Sequence, residues 1–253
     1  AGDGDLQEGV SHEVCSFAGH HGLSKLILFY DSNDITIDGK TNLSYSEDAA
    51  KRFEAYNWHV QAIDGHNLEE INEAIKIAQT ESNKPSLIIC RTTIGFGSPN
   101  KAGSEECHGS PLGEEEVLLT KQNLGISPEK FFVPDEVYEF TDKIAKKGEE
   151  FEEKWIAEFE LYTHENKDAG NELSSIMKGE ISEFMLQEFQ ADEKSATRAS
   201  SGKVLDQLTV QIPNLIGGSA DLTPSNKTKA KSQTVYGINN KSGDYIHYGV
   251  REF

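Results

Sequence analysis

Three short segments, residues 25–31, 58–64 and 86–91, read as strands and alternate along the first part of the chain with stretches of helical period. Between them Ala49, Phe53 and Tyr56, and then Leu68, Ile71, Ala74, Ile75 and Ala78, recur at three and four residues, as one face of a helix does. Strand, helix, strand, helix in this rhythm predicts a parallel sheet with helices on both faces, because parallel neighbours can be joined only by a crossover. The first run is apolar enough for a strand buried on both faces. Ahead of it Val10, Val14, Phe17, Ala18 and His21 mark another helix, and Ser44 or Ser46 can cap the helix at Ala49.

An open parallel sheet binds ligands at the carboxyl ends of its strands, and that edge carries a distinctive pair. Asp3 stands between Gly2 and Gly4, where a preceding strand would end, and Asn33 follows thirty residues later, just past the first strand. A carboxylate and an amide oxygen suit a hard cation such as Mg2+, which also takes carbonyl, water and phosphate oxygens. The glycines let the backbone come close to a bulky anion, and the N-terminus of the helix behind them favours negative charge in a ligand. The bland alternative is a plain Gly-Asp-Gly turn.

A net charge of −19 over 253 residues argues against nucleic acid or an anionic membrane as partner. No apolar run reaches membrane-spanning length. Cys15, Cys90 and Cys107 are odd in number and unrelated in spacing, which reads as free thiols in a reducing compartment, the cytoplasm or an organelle stroma. Residues 98–113 form a Gly, Pro and Ser loop around His108, the kind that often serves as a lid. From 134 to 167 the chain is acidic and helical, with Val137, Phe140, Ile144, Phe151, Trp155 and Phe159 on one side. A helix around 176–189 and a polar break at 190–194 put a domain change between Asp168 and Ser195. Beyond it Val204, Leu205 and Leu208 mark a helix, and 214–219 and 245–250 mark strands.

The string over residues 2–39, GDGDLQEGVSHEVCSFAGHHGLSKLILFYDSNDITIDG, resembles the thiamine-diphosphate motif of transketolases. Further matches follow in order: TTIGFGS at 92–98, His108-Gly109 with Pro111-Leu112-Gly113, Ala196-Thr197-Arg198, GSADLTPSN at 218–226 and YGVRE at 248–252. The resemblance implies an α/β fold of open, mostly parallel sheets with helices on both faces, in two thiamine-diphosphate-binding-type domains, both incomplete. Residues 1–168 would be the C-terminal part of the diphosphate-binding domain with its helical end. Residues 169–253 would be a linker and the N-terminal part of the pyrimidine-binding domain, the whole an interior fragment.

The same resemblance implies roles residue by residue. Asp3, Asn33 and the backbone carbonyl of Ile35 would ligate Mg2+, with Ca2+ or Mn2+ able to substitute, while Gly2 and Gly4 approach the phosphates. Glu252 would hydrogen-bond the cofactor's pyrimidine N1′ as the main catalytic residue, and a carboxylate in that role is expected to be desolvated. Asp221 would lie close to the cofactor and the neighbouring subunit. Arg198 and Ser225 would bind the sugar phosphate, and His108 would stand near the diphosphate and the substrate's reacting hydroxyls. Glu8 and Glu13 match glutamates that link paired sites at a dimer interface; an acidic first turn complementing the helix dipole is the equal alternative. The implied activity is two-carbon ketol transfer from xylulose 5-phosphate to ribose 5-phosphate, in the pentose phosphate pathway. The implied assembly is a homodimer in which Asp3 and Glu252 of one chain serve different sites. Dihydroxyacetone synthase, phosphoketolase and a non-catalytic binding protein are the competing readings.

Overall fold

The computed structural model describes residues 1–181, 184–188 and 194–252. They fall into two compact units: Ala1–Pro128 with Gly237–Lys241 and Tyr248–Phe253, and Glu129–Tyr236 with Ser242–His247. The change of unit therefore follows Pro128, ahead of the acidic helix, whereas the sequence puts a break between Asp168 and Ser195.

The first unit opens with a 3-10 turn at Asp5–Gln7 and helix α1 (Gly9–His20), followed by β1 (Ile27–Ser32) and a small antiparallel hairpin of β2 (Ile35–Thr36) and β3 (Gly39–Lys40). Then come α2 (Ala49–Ala55), β4 (His59–Asp64), α3 (Leu68–Thr80), β5 (Ser86–Arg91) and α4 (Glu114–Asn123). The sheet is parallel in the order β1-β5-β4, and Ile27 and His59 flank Ser86 in register. Successive side chains of a strand point to opposite faces, so β5 divides its apolar residues between two helical layers. Leu87 and Ile89 join Leu6, Cys15, Ala18, Tyr30, Phe53 and Trp58 on the α1 and α2 side, and Ile88 meets Ala74 and Ala78 of α3 on the other. The predicted parallel sheet with helices on both faces is therefore found.

Details differ where position in the sheet decides them. Strand β1 was expected to be buried on both faces, but Phe29 and Asp31 are exposed, because β1 lies beside β5 at one end of the strand order. In α1 the buried residues are Cys15, Ala18 and Gly19, while Val10 is 53% exposed and Val14 is exposed too. Of the expected face Val10, Val14, Phe17, Ala18 and His21, the C-terminal part holds, with Ala18 and His21 buried, while the two valines do not belong to it; the helix approaches the 56–58 turn through Gly19. A β-carbon on Gly19 would stand 1.7 Å from the Tyr56 carbonyl oxygen and 3.1 Å from the Trp58 ring. Gly19→Ala is accordingly expected to destabilise the unit by about 3 kcal/mol or more, since neither backbone can yield, and a chemical denaturation midpoint measures it. Helix α2 is capped by Asp48, whose carboxylate accepts the Lys51 N–H at 3.1 Å; Ser44 and Ser46 are not its cap.

The second unit contains α5 (Asp135–Glu165), α6 (Lys167–Lys178), α7 (Thr197–Gln211), β6 (Gly217–Ser219), α8 (Thr223–Asn226) and β7 (Tyr245–His247). Strands β6 and β7 pair in parallel. The apolar side of α5 exists as expected, and none of its residues is buried. Gly170 of α6 packs on Thr163 of α5, where a β-carbon would stand 2.6 Å from the Thr163 α-carbon. The helix expected over 176–189 is instead this earlier one, ended by Gly179 in a left-handed cap. Residues 180, 181 and 184–188 are not helical, and Phe189 and residues 190–193 lie outside the described residues.

Candidate functional site

The site grows from the carboxyl end of β1. The first residues run beside that strand: Asp31 N–H donates to the Ala1 carbonyl at 2.8 Å, and Gly2 bridges Asp31 in parallel fashion. Asp3 is thereby set beside the turn that leaves β1, as the spacing predicts. That turn is shaped by Asp34, at φ 63°, and by the Asn33 side-chain oxygen, which accepts the Ile35 N–H at 3.1 Å.

Asp3 is 4% exposed. One carboxylate oxygen accepts the N–H groups of Asn33 and Asp34, each at 3.0 Å, and the other accepts the Tyr30 hydroxyl at 2.6 Å. Burial, and then this bond to Asp3, pushes the Tyr30 hydroxyl well above its ordinary value, so it remains a donor. A carboxylate taken out of water is costly unless hydrogen-bond donors meet it. Asp3 has three, and they fix it against Tyr30 and the Asn33–Asp34 backbone.

These residues line a cavity of about 960 Å³. Five carboxylates border it, from Asp3, Asp5, Glu8, Asp31 and Asp38, along with His108, Cys107 and Ile94, and no Lys or Arg does among the described residues. An anion entering alone would be repelled. Asp3, Asn33 and Ile35, the residues that the resemblance names for a metal, all lie in this lining, and carboxylate, amide and carbonyl oxygens are ligands of the kind that hard cations take. No three His, Cys, Asp or Glu side chains come together as a metal cluster among the described residues. A β-carbon on Gly4 would meet nothing within 4 Å, leaving that side of the turn open to a ligand. The Gly2 N–H is already taken by Asp5 at 2.7 Å. Arg52, which the sequence reading passed over, pins the 3-10 turn from behind: its Nη1 donates to the Leu6 carbonyl at 3.1 Å and to Glu47 at 2.8 Å.

The 92–113 loop adds Ile94, Cys107 and His108 to the lining. Rather than a free lid, it is a series of bonded turns: Ser98 N–H to the Gly95 carbonyl at 2.9 Å, Gly103 N–H to the Ile94 carbonyl at 2.8 Å, and the Cys107 thiol to the Lys101 carbonyl at 3.0 Å. His66 accepts the Thr93 N–H at 2.9 Å and stacks on Phe96 at 4.0 Å. The spacing of the Gly95-Phe96-Gly97 motif has a steric reason. A β-carbon on Gly95, at φ 65°, would lie 2.4 Å from the Cys107 sulfur, and one on Gly97, at φ 90°, would lie 2.7 Å from Leu124.

Glu116 of α4, also missed from sequence, is buried under this loop and accepts from the Ser98 hydroxyl, the Asn100 N–H at 2.9 Å and the Asn100 side-chain amide at 2.8 Å. The bonds from Ser98 and Asn100 hold its carboxyl below the ordinary value of 4.5. A carboxyl so depressed stabilises the fold above its unfolded value and loses that contribution as pH falls through the folded one. Thermal midpoints at pH 7 and pH 4 are expected to show a smaller acid-induced drop in Glu116→Gln than in the parent protein.

The other predicted residues are placed as follows. His108 is exposed and lines the cavity, and so is and does Glu8. Glu13 accepts the Glu252 N–H at 2.9 Å, and Arg251 donates to Ser16 at 2.9 Å, so the 248–252 tail lies along α1. The Glu252 carboxylate is exposed and outside the cavity lining. In the single chain Glu252 is thus exposed, where the resemblance implies a desolvated carboxylate. In the second unit, Arg198 is exposed on the first turn of α7. Ser225 lies in α8, and Asp221 precedes that helix at φ 59°. This helix is fixed by Ser219, which accepts Asn226 at 2.8 Å, and by the buried Tyr245, whose hydroxyl meets Thr223 at 2.9 Å. Cys15, Cys90 and Cys107 are free, as expected.

Residues 1–182 match the family described as "Transketolase, thiamine diphosphate binding domain". Transketolase 2 of Escherichia coli is 49% identical over 261 residues, and the transketolase of Buchnera aphidicola from Baizongia pistaciae is 48% identical over 262; both alignments span 100% of this chain and 39% of the relative. Among solved structures, a transketolase from Leishmania mexicana superposes with a TM-score of 0.96 at 38% identity, covering 99% of this chain and 38% of that one. A transketolase from Pichia stipitis in complex with sedoheptulose 7-phosphate gives 0.94 at 38% identity, with 99% and 39% covered. The chain thus spans about two fifths of the length of the relatives it matches.

Proposed function

The chain belongs to the transketolase family, whose thiamine diphosphate binding domain it carries, and on that premise we propose that it serves reversible transfer of a two-carbon ketol unit from a ketose phosphate to an aldose phosphate. Xylulose 5-phosphate and ribose 5-phosphate are the proposed donor and acceptor, in the pentose phosphate pathway. The observation that carries the reading is the buried Asp3 carboxylate locked to the Asn33–Ile35 turn at the mouth of an acidic cavity.

Thiamine diphosphate, when bound, supplies the nucleophilic carbon and the electron sink for breaking and remaking a carbon–carbon bond. Asp3, Asn33 and the Ile35 carbonyl would hold Mg2+, or Ca2+ or Mn2+ in its place, and so offset the negative charge of the cavity toward a diphosphate. Gly4, open on its ligand side, gives the phosphates room. His108 would hydrogen-bond the reacting hydroxyls of the sugar and hold or pass a proton there. Arg198 and Ser225 would grip the sugar phosphate, for which a guanidinium fork is well shaped. Asp221 would lie by the cofactor.

Glu252 would share a proton with the pyrimidine nitrogen of the cofactor. Its exposure outside the Asp3 cavity of its own chain supports the proposal that it serves a partner's site, in a homodimer with Glu8 and Glu13 near the interface. Residues 1–168 are proposed as the diphosphate-binding part and 169–253 as linker and pyrimidine-binding part. No described helix is long and apolar enough to cross a membrane. The three free thiols favour the cytoplasm or another reducing compartment.

The test is release of glyceraldehyde 3-phosphate from xylulose 5-phosphate by a full-length protein carrying this sequence, with thiamine diphosphate and Mg2+. Sustained release that needs ribose 5-phosphate is expected. Release that needs inorganic phosphate instead of an acceptor identifies a phosphoketolase, and no release despite cofactor binding overturns the enzymatic reading.

A further inference from the structure

We infer that Glu116 is a positioning residue for His108, acting through the hydrogen-bonded loop between them; the inference rests on the ketol-transfer reading given above. The His108 ring makes no hydrogen bond among the described residues, so its place over the cavity depends on the loop backbone that carries it. That backbone is tied to α4 by a continuous relay. Glu116 accepts the Ser98 hydroxyl and both Asn100 donors. Ser98 in turn accepts the Lys101 N–H at 3.2 Å. The Lys101 carbonyl accepts the Cys107 thiol at 3.0 Å and the Ser104 hydroxyl at 2.7 Å. Cys107 is the residue before His108, and both line the cavity.

Helix α4 holds the loop at a second point, where the Asn123 amide donates to the Gly97 carbonyl at 3.0 Å. A buried carboxylate is a costly way to attach a loop, since an apolar residue of similar size can be as stabilising. What the charge adds is direction: its oxygens accept three donors from two residues at fixed angles, and a loop so held has one conformation. Small displacements of a group that touches substrate are enough to lower turnover strongly.

The test uses the full-length protein with thiamine diphosphate and Mg2+. Glu116→Gln keeps the volume but turns an amide donor toward Ser98 or Asn100. With His108 present it is expected to lower kcat/KM about 10-fold, and in a His108→Ala background less than about 2-fold, because a residue acting only through His108 has nothing left to position. Equal losses in both backgrounds, or no loss with His108 present, overturn the inference. Ser98→Ala, which cuts the relay one bond further on, repeats the cycle if Glu116→Gln does not fold.

The rate of Cys107 alkylation, followed by peptide mapping, reads the loop without reference to activity. A rise of about 10-fold in Glu116→Gln or Ser98→Ala is expected as the thiol leaves the Lys101 carbonyl, and an unchanged rate overturns the inference. An inactive parent protein would instead defeat the functional reading, leaving the alkylation rate to decide whether Glu116 holds the loop.

Discussion

Asp3→Asn is expected to leave the protein folded and to weaken thiamine diphosphate binding in Mg2+ by at least about 100-fold, as loss of a metal-ligand charge does in comparable sites. The asparagine side chain keeps the shape and one acceptor for the Asn33 and Asp34 N–H groups, which both meet the same Asp3 oxygen at 3.0 Å. What it removes is the only negative charge in the proposed donor set. Four further carboxylates border the cavity, so without a tightly held cation the diphosphate faces uncompensated repulsion. Asp3→Ala adds a folding penalty of about 1–3 kcal/mol for each donor left buried and unpaired, the Tyr30 hydroxyl foremost. The comparison therefore separates charge from shape. Calorimetric titration of cofactor into both variants decides it, and an asparagine variant that binds as the parent does would remove Asp3 from the site.

Glu252→Gln is expected to behave differently: cofactor affinity within a few-fold of the parent, and kcat lower by about 1,000-fold, the scale of losing a positioned acid or base. Because Glu252 lies outside the Asp3 cavity of its own chain, the two variants should complement. Random pairing of equal amounts of Asp3→Asn and Glu252→Gln subunits gives mixed dimers in which one of two sites carries both native residues, restoring about one quarter of parental activity. A mixture as inactive as its components would place both residues in the same site.

The parts of the fold legible in the sequence were those set by local pattern. Strands β4 and β5 and helix α3 follow from apolar periodicity, with a break at Gly65. The partial exposure of β1 was not legible, since it depends on which strand ends beside β5, a matter of long-range order. The buried face of α1 was legible only in part. Ala18 and His21 are buried as their period predicts, but Val10 and Val14 share that period and are exposed, and the close approach at Gly19 gives no hydropathy signal. The end of α6 did have a local signal, Gly179 in its left-handed cap, which the reading overran.

The candidate site divides the same way. That Asp3, Asn33 and Ile35 meet at one cavity was legible because a recognisable motif and the edge of a parallel sheet point to one place. Tyr30, Arg52 and Glu116 were not, because each acts on a partner distant in sequence: Asp3, the Leu6 carbonyl and the 98–100 loop. For Cys107 a faint signal exists. Gly95 has to be glycine partly because that sulfur fills the space its β-carbon would occupy.

The most direct measurement is a crystal structure of a full-length protein carrying this sequence, grown with thiamine diphosphate and Mg2+. Density for one metal bound by an Asp3 carboxylate oxygen, the Asn33 side-chain oxygen and the Ile35 carbonyl, each at about 2.1 Å, with two diphosphate oxygens and a water completing the octahedron, is the expected result. A diphosphate bound away from the Asp3 cavity, or bound there with no metal between it and Asp3, would contradict it.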